Sequence, residues 1–183
     1  MGYHMPNMLS GPASDEEIAR AEQELGFKLN NALIELYKCA NGIINDYKTV
    51  SGLTGLIPIH NFLNLDDVVS YYKDLIDLEE YLTDYTGFKP GKQLFPFLDD
   101  NVGNCYWVDV NTGTANENRV YWTNTFGEYP SYHYESLQNM FAVIAEAYTT
   151  GLMFLDEDSY LDMDFVAFHK LSGKHNPKVE YWK

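Results

Sequence analysis

The chain has 183 residues, 45% of them hydrophobic and 21% charged, the balance of one soluble globular domain with a full core. Lys and Arg total 12 against 27 Asp and Glu, a formal charge of −15, which disfavours nucleic acid and anionic membrane and attracts basic proteins. No apolar run approaches the roughly 20 residues of a membrane span, and no basic-then-apolar secretory signal opens the chain.

Met1–Met5 reads as a cloning remnant, and residues 1–13 are expected to lie outside the domain. Ser14–Gly42 predicts a helical hairpin. Ser14 and Glu17 have capping-box spacing, Ile18, Ala21 and Leu25 line one face, and Gly26 suits the left-handed residue that ends a helix. Leu33, Leu36, Tyr37 and Ala40 form the second stripe, which Asn41-Gly42 closes. Leu53–Ile59 (LTGLIPI) is expected to be a short strand ending at or soon after Pro58. Asn64 or Asp66 then caps a helix reaching about Leu82, with Val68, Val69, Tyr72, Leu75 or Ile76, and Leu82 inward. Gly87 and Pro90-Gly91 close that segment.

Leu94–Leu98, Cys105–Val110, Arg119–Thr123 and Tyr132–Tyr134 follow as strands joined by turns too short for parallel crossovers, so they predict an antiparallel meander. Ser136–Tyr148 is a second amphipathic helix, with Leu137, Met140, Phe141, Ile144 and Tyr148 on one face. A last helix holds Phe165, Phe168 and Leu171, capped by a preceding acid. The order gives an α+β fold: a single domain over 14–183, with the N-terminal helical hairpin and the C-terminal helices packed on one face of the meander.

The hairpin, with its Leu-Gly-aromatic-x-Leu turn and Asn-Gly end, resembles the opening of the SUKH superfamily, which takes in the Smi/Knr fungal cell-wall regulators and many bacterial immunity proteins. Where that family usually has Pro, this chain has Asn30, which also caps a helix well. LFPFLDDNVGNCYWVDVNTG resembles the family's strand–turn–strand centre and RVYWTN its next strand. The tail from about residue 151, ending in Asn-Pro and Tyr-Trp, is similar to an extension of some members. The resemblance implies a protein that binds a partner without catalysis.

The residues agree with that implication. Asp99-Asp100-Asn101 with Asn104 and Asp109 fails the EF-hand pattern, because Asn104 stands where Gly is needed and Val110 where Glu is needed. Asp and Asn there are expected to serve the turn by bonding its backbone. His60, His133, His169 and His175 lack zinc-site spacing, and His133 between two tyrosines is expected to make an aromatic contact at a strand edge. There is no nucleophile elbow, phosphate loop or dinucleotide fingerprint. Cys39 and Cys105 are expected to be buried free thiols, which indicates a reducing compartment, the cytoplasm. No catalytic residue, cofactor or metal is assigned.

The charge is uneven: from Gln93 to His169 there are twelve acids and only Arg119 as a fixed cation, a net of −11. An acidic face rich in Tyr suits the basic cleft of a nuclease toxin, with Tyr as anchor and carboxylates steering. The candidate partner-binding residues are Asp99, Asp100, Glu128, Tyr129, Tyr132, Tyr134 and the run Asp156, Glu157 and Asp158. Trp107 and Trp122 are expected to divide between core and surface. The expected function is that of an immunity protein neutralising a toxin of a polymorphic or contact-dependent system. The alternative is a regulatory scaffold for an endogenous signalling or wall-synthesis protein.

Overall fold

A computed structural model describes residues 8–44, 55–77, 94–124 and 131–183. The first helix, α1 (Asp15–Leu25), starts with a complete capping box: the Glu17 amide donates to Ser14 Oγ at 3.1 Å, and the Ser14 amide donates to Glu17 Oε2 at 2.7 Å. Gly26 ends it at φ 78°. In α2 (Asn31–Cys39) the Asn30 side chain accepts from the Leu33 amide at 3.0 Å, so Asn30 caps the helix as expected. Leu33, Tyr37 and Ala40 are buried and Leu36 is half-buried.

Leu53–Ile59 is not a strand where it is described. Residues 55–60 make a tight turn: the Leu56 amide donates to the His60 carbonyl, the His60 amide to Ile57, and Ile59 takes φ 64°. Pro58 has no N–H to give a ladder, which favours a turn. The strand comes just after it, as β1 (Asn61–Phe62). Helix α3 (Leu65–Asp77) buries Leu65, Val68, Val69 and Tyr72. The expected continuation to Leu82, and the Gly87 and Pro90-Gly91 turn, lie outside the described residues.

The expected meander is a five-stranded antiparallel sheet in the order β1, β2 (Leu94–Asp99), β3 (Cys105–Asp109), β4 (Val120–Thr123), β5 (Ser131–Tyr134). Helix α4 (Leu137–Thr149) follows, capped by Ser136, with Leu137, Met140, Val143, Ile144 and Ala147 inward. A hairpin, β6 (Met153–Leu155) and β7 (Leu161–Met163), leads to α5 (Phe165–His175), which Asp164 caps through the Ala167 amide at 3.0 Å. A 3-10 turn at Glu180–Trp182 packs back on β5.

All five residues of β3 are buried, so both its faces are covered. Tyr106 meets His60, His133 and Tyr134. Its neighbour Trp107, which alternation points to the opposite face, meets Tyr71 of α3 at a ring separation of 6.0 Å. The layering expected on one face is thus completed on the other by α3. Trp107 is core and donates Nε1–H to Thr123, while Trp122 is half-buried.

Two irregularities set the side chains near the sheet centre. The β2–β3 register shifts between Pro96 and Leu98, beside the one residue of β2 with no amide to give. The β4–β5 register passes over His133: Val120 pairs with Tyr134, and Tyr121 with Tyr132. That extra residue puts Tyr132 and Tyr134 on opposite faces, because Val120 and Tyr121 alternate.

Candidate functional site

The turn from β2 to β3 is built by its own acids. Asp99 Oδ2 accepts from the Asn101 amide at 2.9 Å, and Asp100 Oδ1 from the amides of Val102 and Asn104 at 3.0 and 2.9 Å. Asn104 Nδ2 also donates to Asp100 Oδ2. Asn101 and Gly103 take φ 63° and 100°, as a reversal this tight requires. Asp100 is used up by the turn. Asp99 is only half used, for its Oδ1 is buried and accepts no hydrogen bond among the described residues.

Asp99 also lines a cleft of about 270 Å³ between α3 and the β1–β2 edge. Asp67, Ser70, Tyr71 and Asp74 of α3 line it from one side, and Asn61 and Asn101 from the other. Asp74, which lines it from α3, is exposed. No Lys or Arg is among its described lining residues. Burial raises the Asp99 carboxyl above its usual range; the Asn101 amide opposes this, and the charge of Asp100 adds to it.

The α3 part of the cleft has a sequence signal, although it was not among the expected site residues. Asp67, Ser70, Tyr71 and Asp74 recur at the i, i+3, i+4, i+7 spacing of one helical face, beside the apolar stripe. What the sequence hid was that this face meets Asp99, which lies 25 residues beyond Asp74 in the chain.

The other candidates do not gather here. Tyr132 is half-buried, 5.8 Å from Tyr121 between ring centres, with the Arg119 guanidinium 4.9 Å above its ring. Tyr134 is fully buried; the β5 bulge turns it into the core, so it supports the sheet and offers no surface. Asp156, Glu157 and Asp158 form the exposed-to-half-buried tip of the β6–β7 hairpin, where Asp156 Oδ1 accepts from the amides of Asp158 and Tyr160. Glu128 and Tyr129 lie outside the described residues.

The ion pairs are placed elsewhere. Arg20 pairs with Asp66, Lys28 with Glu22, Lys38 with Asp15, Lys73 with Glu24, and Glu146 with Lys174 and His175. None of the described ion pairs engages Asp74, Asp99 or the Asp156–Asp158 tip.

One arrangement resembles nucleophilic chemistry: Ser131 Oγ lies 2.7 Å from His133 Nε2. A catalytic His needs an acceptor on its other nitrogen to hold the tautomer, and His133 Nδ1 has no partner among the described residues. The ring is 3% exposed. It is stacked against Tyr181 at 3.9 Å and against Trp122 at 5.7 Å. This is the expected aromatic contact, made inside the fold instead of at a strand edge. Among the described residues no group of three or more His, Cys, Asp and Glu is placed to hold a metal, and no helix is long and apolar enough to cross a membrane. Both cysteines are free: Cys105 is buried as expected, whereas Cys39 is exposed, because it falls on the outer side of the last turn of α2.

Residues 12–146 match the model of the SMI1 / KNR4 family (SUKH-1). No curated protein matches the chain.

Proposed function

From the premise that the chain belongs to the SMI1 / KNR4 family (SUKH-1), we propose that it is a non-catalytic binding protein of the immunity type, which neutralises a toxin by occupying its basic working surface. The observation that carries the reading is the distribution of charge. Carboxylates at Asp74, Asp99 and the Asp156–Asp158 tip stand without a paired cation among the described residues. Unpaired carboxylates of one sign on a rigid scaffold steer a basic partner and fix its register. A nuclease toxin, whose cleft must hold phosphates, is the partner class that fits best.

The cleft and the hairpin tip supply the charge, and Tyr132 with Tyr121 supplies an aromatic patch. Cytoplasmic residence and an occluding mode of action belong to the same proposal.

The test is protection from growth arrest. Where the adjacent gene encodes a large secreted protein, the C-terminal domain of that protein is expressed with and without the chain. Arrest relieved by this chain alone supports immunity and identifies the toxin chemistry. Arrest that this chain leaves in place refutes it and favours the regulatory-scaffold alternative.

A further inference from the structure

Eight large apolar or aromatic side chains are exposed among the described residues, and four of them, Phe154, Tyr160, Phe165 and Val166, fall between residues 154 and 166. They sit on the β6–β7 hairpin and the first turn of α5. The pairing of the hairpin explains why its rings face outward. Met153 pairs with Met163, Phe154 with Asp162 and Leu155 with Leu161. Residues opposite one another share a face, and successive residues alternate. Met153, Leu155, Leu161 and Met163 belong to the core or pack on it, so Phe154 and Asp162 point away from it. The Asp156 amide donates to the Tyr160 carbonyl at 2.9 Å, which carries the ladder one pair further and puts Asp156 and Tyr160 on the same outer face.

That face is a checkerboard: Phe154 stands opposite Asp162, and Tyr160 opposite Asp156. Phe154 and Tyr160 are 43% and 46% exposed, where the solvated face of an antiparallel hairpin ordinarily carries polar residues. Phe165 and Val166, each 68% exposed, follow directly after Asp164, the cap of α5. Exposed apolar clusters rimmed by polar groups mark contact surfaces.

The charge of the segment decides what would cover it. From Gly151 to His169 there are five acids, Asp156, Glu157, Asp158, Asp162 and Asp164, and no Lys or Arg. A second copy of the chain would bring the same five carboxylates against them, and nucleic acid or an anionic membrane would be repelled likewise. A protein surface with Arg or Lys set among apolar side chains fits. The stem of an Arg lies along a ring while its guanidinium meets the carboxylate across the strand pair, and the checkerboard offers that arrangement twice. The inward residues hold the hairpin on the core before a partner arrives, so little ordering entropy is lost on binding. The hairpin also lies beyond the residues 12–146 matched by the family model, so the surface is no part of the matched region.

We infer that the outer face of the β6–β7 hairpin, with the first turn of α5, is a docking surface for a basic segment of a protein partner, with Phe154 and Tyr160 as apolar anchors and Asp156 and Asp162 as acceptors for Arg or Lys. The inference rests on the binding-protein reading for the origin of that segment, and it names the surface by which a basic toxin is held.

The experiment is a titration of the ¹⁵N-labelled full chain with acetyl-Arg-Leu-Arg-Leu-Arg-Leu-amide. Acetyl-Arg-Ser-Arg-Ser-Arg-Ser-amide, which has the same charge without the apolar side chains, is the comparison. The Leu peptide is expected to shift the amides of Phe154, Tyr160, Phe165 and Val166 saturably. It should bind about tenfold more tightly than the Ser peptide, roughly the effect of burying one apolar side chain. Phe154→Thr with Tyr160→Thr keeps every charge and uses a residue that suits a strand, and it should abolish the tenfold preference. Phe165→Ser with Val166→Ser tests the same surface from the helix, leaves the hairpin sequence intact, and should reduce the preference severalfold. Equal affinity for the two peptides, shifts spread over the acidic surface elsewhere, or a preference that survives both variants would overturn the docking surface. So would a dimer in sedimentation that Phe154→Thr with Tyr160→Thr dissociates, since a second copy would then be the occupant.

The growth assay separates this inference from the immunity reading. Protection that is lost in the Phe154→Thr, Tyr160→Thr chain supports both. Protection that this variant retains in full overturns the surface as the toxin contact, while immunity stands. A tenfold peptide preference without protection keeps the surface and removes the immunity reading.

Discussion

Lowering the pH from 7 to 5 should destabilise this protein chiefly through His133. Burial lowers its imidazole from the ordinary 6.5 to about 3, with the charge of nearby His60 acting in the same direction. The groups around it are Ser131, Tyr106, Trp122, Tyr181, Trp182 and His60, and none is a carboxylate. A histidine lowered in the fold gives its full stability above 6.5. As the pH falls below that value the unfolded chain takes up a proton that the native state refuses. Each pH unit then costs about 1.4 kcal/mol until the folded value is reached. At pH 5 the loss is about 2 kcal/mol, or about 4–8 °C in Tm for a chain of this size. His60, also lowered by burial, adds to the loss. Glu24 and Glu146, lowered by their hydrogen bonds with Lys73 and with His175 and Lys174, release their stabilisation only when the pH falls below the ordinary 4.5 towards their folded values. Asp99 is raised and so acts in the opposite direction. Its folded form binds a proton more readily, and stability returns as the pH drops through its folded value. Urea denaturation at pH 7, 6 and 5 measures the slope. His133→Phe keeps a ring between Trp122 and Tyr181 and removes the titration, so its slope should shrink to the share of His60. A wild-type stability that is flat over this range, or a variant as pH-sensitive as wild type, would refute the reasoning.

Two glycines separate crowding from backbone strain. Gly42 has φ 81°, and a Cβ there would run into the backbone of Asn64 and lie 2.8 Å from the Leu63 carbonyl carbon, so Gly42→Ala should cost about 3 kcal/mol or more by urea midpoint. Gly26 has φ 78° but open space around it, so Gly26→Ala should cost only about 1–2 kcal/mol, the left-handed penalty alone. A thiol reagent should modify Cys39 in the native protein and Cys105 only in urea, since burial shields Cys105 and raises its thiol well above the usual range. Modification of both thiols at one rate in the native state would contradict the core assignment. Trp182→Ala removes ring contacts with His133, Tyr134 and Phe168 and should cost about 2–4 kcal/mol, read as an earlier urea midpoint.

Local signals were legible in the sequence and non-local ones were not. The caps at Ser14, Asn30 and Asp164 form within one turn of chain, so spacing alone reveals them. The meander is implied by turns too short for any crossover. The strand expected over Leu53–Ile59 is a turn where it is described, because the missing amide of Pro58 outweighs the apolar, β-branched content of the run. Regular alternation would put Tyr132 and Tyr134 on one face, and the bulge that separates them leaves no trace in a four-residue strand. Charge alone groups Asp99 with the candidate partner-facing acids. That one of its oxygens is spent on the Asn101 amide and the other is sealed inside the fold is a matter of turn geometry, which no pattern of residue types records.

The family match ends at Glu146, within α4, yet the C-terminal segment beyond it is no appendage. Asn176 is fully buried and its side chain accepts from the Glu135 amide at 2.9 Å. Phe168 and Leu171 join the core, and Tyr181 and Trp182 close over His133. These contacts lie on the Tyr106 face of the sheet. Asp99 pairs in register with Cys105 and so shares the opposite face with Trp107 and Tyr71. The sheet therefore separates a face that the C-terminal segment stabilises from a face that presents the cleft. Substitutions on one side should leave the other close to unchanged, since distant sites without shared partners add nearly independently. A partner-binding role of the cleft face, as proposed, would therefore be separable from the scaffold role of these C-terminal contacts, and scaffold and cleft would be set on opposite sides of one sheet.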